Sequence, residues 1–247
     1  MEYDVFARYY DRLNTDLDYC ARTEYLLSLF RRFGATPNLL LDLGCGTGGF
    51  SLAFSKKGIE VIGVDPSEAM LCEARKKAGE AGASVLFLNQ SGQTLDLYGT
   101  VDGAVCCMDT LNHITDKRGL RRCFEKVSLF LEPGRLFIFD VNTLYKQKQV
   151  LADRVYVLEE KELFCVWENH YLPRQKTTDI VLNFFEKCGN VYRREEEVFS
   201  ERVYSRRELE RLLKGAGFRV EAVFADLTES KIRTSTQRAV YVARKVI

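Results

Sequence analysis

The stretch "LLLDLGCGTGGF", residues 39–50, decides the fold. Its first half is a short, continuous apolar run, the pattern of a strand buried on both faces of a parallel sheet. Its second half crowds Gly44, Gly46, Gly48 and Gly49 together before "GFSLAFSKKG", which reads as a helix. A strand, a glycine turn and a helix in that order form a loop that lets a ligand approach the backbone closely. Gly44, Gly46 and Gly49 satisfy G-x-G-x-x-G literally, so a pyrophosphate is one reading. That pattern alone is weak, and the surroundings have to decide.

Outward from the loop the chain alternates. "EVIGVD" (60–65) is a second strand and "PSEAMLCEARKKAGEAG" (66–82) a helix with Pro66 near its first turn. "SVLFLN" (84–89) and "VDGAVCCM" (101–108) are strands, "LRRCFEKVSLFLEPG" (120–134) a helix, and "RLFIFDVN" (135–142) a fifth strand. Residues 1 to about 34 read as helical, closing on Gly34. This is the grammar of a doubly wound, Rossmann-like α/β sheet. After residue 150 it changes: "RVYVLEEKELFCVWENHYL", "TTDIVLNFFEKCG" and "NVYRREEEVFSERVYS" are strand-like with no helix between them, and "KCGN" marks a hairpin. Residues 151–204 are therefore expected to form an antiparallel β insertion, with 1–150 and 205–247 as the core. "RRELERLLKGAGF" is then a helix, and "RVEAVFADL" with "QRAVYVARK" a closing antiparallel pair, completing a seven-stranded sheet with an antiparallel last strand.

Composition bounds the function. The 247 residues are 46% hydrophobic and 29% charged with a formal net charge of +1, so the chain can bury a core and carries no electrostatic footprint for nucleic acid. Eight cysteines without a CxxC pair or metal-ligand rhythm, and no signal-like N-terminus, lead to an expected reducing cytoplasm. No apolar run approaches the roughly 20 residues a membrane helix needs. "RREEE" (193–197) reads as a solvated strand face.

Asp65, at the end of the second strand, suits the ribose diol of a dinucleotide and of S-adenosylmethionine equally. Three other features separate them. Asp42 lies in the strand before the loop, where a carboxylate repels pyrophosphate but suits an ammonium and a sulfonium. A helical segment precedes the first strand. The last strand is antiparallel.

"LLLDLGCGTGGF" and "VIGVDPSEAM" resemble the first two motifs of the class I S-adenosylmethionine-dependent methyltransferases. "VDGAVCCMDTLNHI" resembles the fourth-strand motif of that group, particularly of its glycine and sarcosine N-methyltransferase-like branch, and "LFLEPGRLFIFDVNT" resembles the helix, turn and fifth strand after it. "YDVFARYYDRLNTDLDY", "FCVWENHY" and "VYRREEEVFSERVY" are similar to small bacterial methyltransferases, so the resemblance spans nearly the whole chain.

The resemblance implies methyl transfer from S-adenosylmethionine to a small-molecule acceptor by in-line displacement. Gly44, Cys45, Gly46 and Gly48 would admit the methionyl and adenosyl parts, and Asp65 would accept both ribose hydroxyls. Pro66, Met70, Met108 and Asp109 are expected around the cofactor. The group usually has an acid right after Gln90. Here it is Ser91, so adenine recognition is expected to lean on backbone or Gln90. Arg22 replaces a common aromatic and is expected at the methionyl carboxylate. Tyr10 would close over the sulfonium. Tyr10 and His113 are the catalytic candidates, a structural histidine being the blander reading of His113. Asn142, Trp167, Asn169 and Tyr171 are expected at the acceptor pocket, with the insertion as its lid; anchoring is the blander reading of Trp167. Asp109, Asp140 and Asn142 could approach one another as metal ligands, but the paired Asp-Asn of catechol-type enzymes is absent, and no metal is expected. Alternatives are an NAD(P)-dependent oxidoreductase, for which no hydride-transfer constellation is found, a non-catalytic S-adenosylmethionine-binding protein, and a tRNA or protein methyltransferase.

Overall fold

The computed structural model of the chain describes residues 5–246. The chain opens with two helices, α1 (Phe6–Leu13) and α2 (Tyr19–Arg32), where the sequence reads one helical stretch. The break falls before Asp18, whose side chain caps α2 by accepting the Ala21 N–H. Residues 1–4 of that stretch lie outside the described residues. Next come β1 (Leu39–Leu43), α3 (Gly49–Ser55), β2 (Glu60–Asp65), α4 (Glu68–Ala81), β3 (Leu86–Asn89), β4 (Gly103–Cys106), α5 (Lys117–Phe130) and β5 (Leu136–Asn142). A second sheet intervenes before α6 (Arg206–Gly215), β10 (Phe218–Ala225) and β11 (Arg238–Lys245).

The seven-stranded sheet runs in the order β10-β11-β5-β4-β1-β2-β3, with β11 antiparallel to both its neighbours and β1 to β5 mutually parallel. Strand alternation divides the core. Leu41, Leu43, Phe137 and Phe139 pack under α5 and α6, while Leu40, Leu136, Ile138, Val240 and Val242 pack under α2 and α3. Asp42, Asp140, Asn142 and Arg238 share the second face by parity.

The 151–204 region holds a separate four-stranded antiparallel meander of β6 (Val155–Glu160), β7 (Leu163–Leu172), β8 (Thr177–Cys188) and β9 (Val191–Arg202). The stretch 154–172, read as one unit, is two strands. Its turn carries no glycine, and Glu162 takes the left-handed conformation instead (φ 63°). The hairpin at "KCGN" is present, with Gly189 at φ 65°. One face of this sheet, with Leu163, Cys165, Trp167, Ile180, Leu182, Phe184 and Phe199, packs on α1 through Phe6, Tyr9 and Leu13. That face includes part of "RREEE". Glu195 receives Arg8 and Glu197 accepts the Phe6 N–H at 2.6 Å, so two of the five residues hold α1 rather than facing water, while Arg193 pairs with Glu186 on the neighbouring strand. No helix among the described residues is long and apolar enough to cross a membrane.

Candidate active site

The glycine loop starts where β1 ends. The Gly44 and Cys45 N–H groups both donate to Val64 O (2.7 and 3.0 Å), folding the loop back over β2. The glycines then serve different ends. A Cβ on Gly44 would fall 2.1 Å from the Thr110 side chain, and one on Gly49 would fall 2.2 Å from the Tyr19 ring. Gly48, at φ +77°, packs against Ala74 and Phe87 and is not in the cavity wall. Only Gly46 in the loop faces open space, with a left-handed φ of +54° and no atom within 4 Å of a Cβ. The chain's own close contacts account for most of the fingerprint, and Gly46 marks where a ligand has room.

Asp65 joins the first two motifs. One of its oxygens accepts the Gly46 N–H and the other the Ser67 N–H, each at 2.9 Å. Burial raises its pKa, against the pull of those two donors. The helix cap is the neighbouring Ser67, which accepts the Met70 N–H, so Asp65 is not a helix cap.

A cavity of about 440 Å³ opens at this point. Tyr10, Gly44, Cys45, Gly46, Asp65, Pro66, Met70, Gln90, Ser91, Met108 and His113, all expected near the ligand, line it. Gln90 is committed at both ends of its amide to Asp96 (3.1 and 2.9 Å), closing the 90–96 loop, and Ser91 bonds to Thr94 at 2.9 Å. Tyr19, Phe50, Thr110, Leu111 and Ile114 also line the cavity and were not anticipated. Among the described residues Asp65 is the only carboxylate in the wall, and none of them there is a lysine or arginine. Such a wall suits a cationic ligand and offers no side-chain charge to a pyrophosphate.

Tyr10 reaches the cavity because α1 is fastened on two sides. Toward the loop, Thr47 Oγ1 donates to Asp11 (2.9 Å) and Lys77 Nζ donates to Asp11 (2.5 Å) and Thr47 (2.9 Å). Toward the second sheet, Tyr9 stacks on Phe184 with ring centroids 4.9 Å apart and donates toward Glu186 (3.1 Å). Burial pushes the pKa values of Tyr10 and Tyr19 up, keeping both as neutral phenols.

Several expected residues sit elsewhere. Asp42 faces α3, accepts the Ser51 hydroxyl at 2.6 Å, and is only 1% exposed; burial pushes its pKa up to about 6. It is a core carboxyl rather than a charge beside the ligand. Arg22 is not in the cavity wall, and Nη1 contacts both Asp226 oxygens at 3.1 Å. Trp167, Asn169 and Tyr171 do not line the cavity either. They share a face of β7, but α1 and Tyr156 meet that face. The Trp167 indole N–H donates to Asn169 Oδ1 (2.9 Å), and Asn169 donates to Arg154 O (3.1 Å). Trp167 also packs against the apolar cluster that α1 shares with the second sheet. His170 is exposed.

Asp109, Asp140 and Asn142 do converge, but around a guanidinium. Arg238 contacts Asp140, with Asp109 at 3.5 Å and Asp226 at 3.9 Å. Asn142 donates to Asp109 and to Glu201, the latter at 3.0 Å. Burial disfavours the charged form of Asp109, but Arg238 and Lys146 outweigh it and hold its pKa down to about 2. Neither Asp109 nor Asn142 lines the cavity.

A family model described as a methyltransferase domain matches residues 40–134, the span from the first strand through the helix after the fourth. The chain is 30% identical to "Putative methyltransferase YqeM" of Bacillus subtilis, covering 99% of this chain and 98% of that one. Among solved structures, an S-adenosylmethionine-dependent methyltransferase from Clostridium acetobutylicum superposes with a TM-score of 0.89 at 29% identity, covering 99% of both chains. The S-adenosylmethionine-bound amino pentose methyltransferase CalS10 of Micromonospora echinaspora shares the fold, with a TM-score of 0.76 at 20% identity over 98% of this chain and 96% of that one. The open space at Gly46 beside the Asp65 carboxylate, in a wall with no lysine or arginine among the described residues, fits S-adenosylmethionine. The chain belongs to the class I S-adenosylmethionine-dependent methyltransferases.

Proposed function

We propose that the acceptor of the methyl group is a small molecule that enters on the Tyr10, Met108 and His113 side of the cavity. The observation that carries this reading is the cavity itself. At about 440 Å³ it lies in the range of small-ligand pockets, and tyrosines on α1 and α2 cover it. The relatives agree in kind, since CalS10 acts on an amino pentose and KedS8 is a sugar N-methyltransferase. The likeness of the 101–114 stretch to the glycine and sarcosine N-methyltransferase branch points the same way.

S-adenosylmethionine supplies a methyl group already activated on a sulfonium. The protein's task is then to align and to exclude water. In this reading Asp65, which holds the Gly46 and Ser67 backbone in the cavity wall, also receives the ribose diol. The neutral Tyr10 ring presents a π face to a cation. His113, in the cavity wall and edge-on to Phe199 at 5.4 Å, is the candidate for a catalytic role toward the acceptor. The second sheet, residues 151–204, acts as a lid at one remove, holding α1 and through it Tyr10. In this reading Trp167 and Asn169 stiffen the lid rather than touch the acceptor.

The test incubates the protein with methyl-labelled S-adenosylmethionine and a fractionated bacterial extract. Label is expected in the low-molecular-mass fraction. Label confined to tRNA or protein overturns the reading.

A further inference from the structure

The turn after β4 is the most constrained piece of backbone in the cavity wall. Met108 and Asp109, neither of them glycine, are consecutive residues in the left-handed region, at φ 55° and 57°. Such a conformation is costly for a residue with a Cβ and persists only where its surroundings force it. The turn is nevertheless central to the site. It presents Met108, Thr110 and His113 to the cavity, and Thr110 occupies the space beside Gly44.

One side chain holds both strained residues. Asp140 Oδ2 accepts the Met108 N–H and Oδ1 accepts the Asp109 N–H, each at 2.8 Å. Asp140 is 7% exposed, and a counter-charge offsets the cost of burying its carboxylate. Arg238, 8% exposed and opposite Asn142 in the β5–β11 register, provides it. Its fork contacts Asp140 from one nitrogen and lies 3.5 Å from Asp109 from another, while Nε lies 3.9 Å from Asp226. Asp226 in turn is held by Arg22, so a chain of alternating charge runs from α2 to the turn.

We propose that Arg238 is a positioning residue that, through Asp140, imposes the left-handed pair Met108–Asp109 and so sets the cavity face of the 108–113 turn. Without the grip the turn relaxes, and a bound cofactor must restore the strained shape at the expense of affinity. Lysine does not reproduce the fork, because its ammonium lacks the planar, fixed spacing of donors that the guanidinium turns toward Asp140 and Asp109.

The test uses the full chain, S-adenosylhomocysteine as the probe, and carbon-13 at the methionine methyls, of which the chain has three. Arg238→Lys is expected to shift the Met108 methyl resonance but not that of Met70, and to weaken S-adenosylhomocysteine about tenfold (about 1.4 kcal/mol). Combining it with Asp109→Gly, which favours the left-handed conformation unaided, is expected to restore affinity to within about threefold. Combining it with Asp109→Ala, which removes the same charge but not the strain, is expected to restore nothing. An unshifted Met108 with wild-type affinity overturns the proposal. So does equal rescue by glycine and alanine, which would make charge balance the whole effect. If Arg238→Lys fails to fold, Asp140→Asn takes its place, since it keeps one acceptor of two; an unchanged Met108 signal and affinity there also overturn the proposal. Wild-type protein that binds no S-adenosylhomocysteine would instead count against the cofactor assignment, and the methyl shifts would still report on the turn.

Discussion

Asp42 and Asp65 end up in opposite roles although the same glycine motif flanks both. Parity on β1 turns Asp42 toward α3, away from the cavity, where its charge has only Ser51 for company. Its pKa rises from 3.8 to about 6, chiefly by burial. A carboxyl whose folded pKa lies above its unfolded one is held protonated longer in the folded state. Its contribution to stability is therefore present at about pH 4 and is lost as the pH climbs through about 6. At the upper bound that loss is about 3 kcal/mol. Asp42→Asn keeps an acceptor for Ser51 and removes the ionisation. The variant is expected to melt several degrees above wild type at pH 7.5 and close to it at pH 4. Thermal unfolding across that range checks this, and a gain independent of pH would mean that ionisation of Asp42 is not the cause.

Helix α1 is eight residues long, too short to be stable by itself, so its place depends on what it is fastened to. Tyr9 is the main fastener, 2% exposed against Phe184 and bonded toward Glu186 and Glu195. Tyr9→Ala is expected to free α1 from the second sheet while the sheet's own strand pairing persists. Hydrogen exchange in residues 6–13 should then speed up by at least tenfold, with little change in β8 and β9 away from the contact. Unchanged exchange would show that the Arg8–Glu195, Arg12–Glu160 and Lys77–Asp11 ion pairs suffice. These elements differ in how plainly the sequence announces them. The buried strands read as apolar runs, and "KCGN" as a turn, because local composition dictates both. The β6–β7 turn is silent because Glu162, rather than a glycine, takes the left-handed conformation. Alternation places Trp167, Asn169 and Tyr171 on one face correctly, but it cannot say that another helix already occupies that face.

The residues that line the cavity come from stretches far apart in the chain, and this sets what a sequence can reveal of the whole site. Gly44, Gly46 and Asp65 are legible because the loop is local and the ribose acid comes at a fixed spacing after it. Arg238 is not legible, lying 98 positions from Asp140 with no motif around it. Tyr19 is no easier, since its role depends on the missing Cβ of Gly49. The assembled cavity nevertheless acts as one unit in thermal unfolding. A ligand that binds only the folded chain adds stability with concentration, about 2.7 kcal/mol at a hundred times its Kd. For a chain of 247 residues this is roughly a 5–10 °C rise in melting temperature. S-adenosylhomocysteine is expected to produce that rise, and NADH at the same concentration to produce none. Asp65→Ala should abolish most of it: two charge-assisted hydrogen bonds at about 1.5 kcal/mol each raise Kd on the order of a hundredfold, which nearly cancels the excess of ligand. Without ligand the variant should still unfold in one cooperative step, because the substitution leaves the apolar core under α5 and α6 in place. A rise with NADH would overturn the cofactor reading. A full rise in Asp65→Ala would reduce that carboxylate to a brace for the Gly46 and Ser67 backbone.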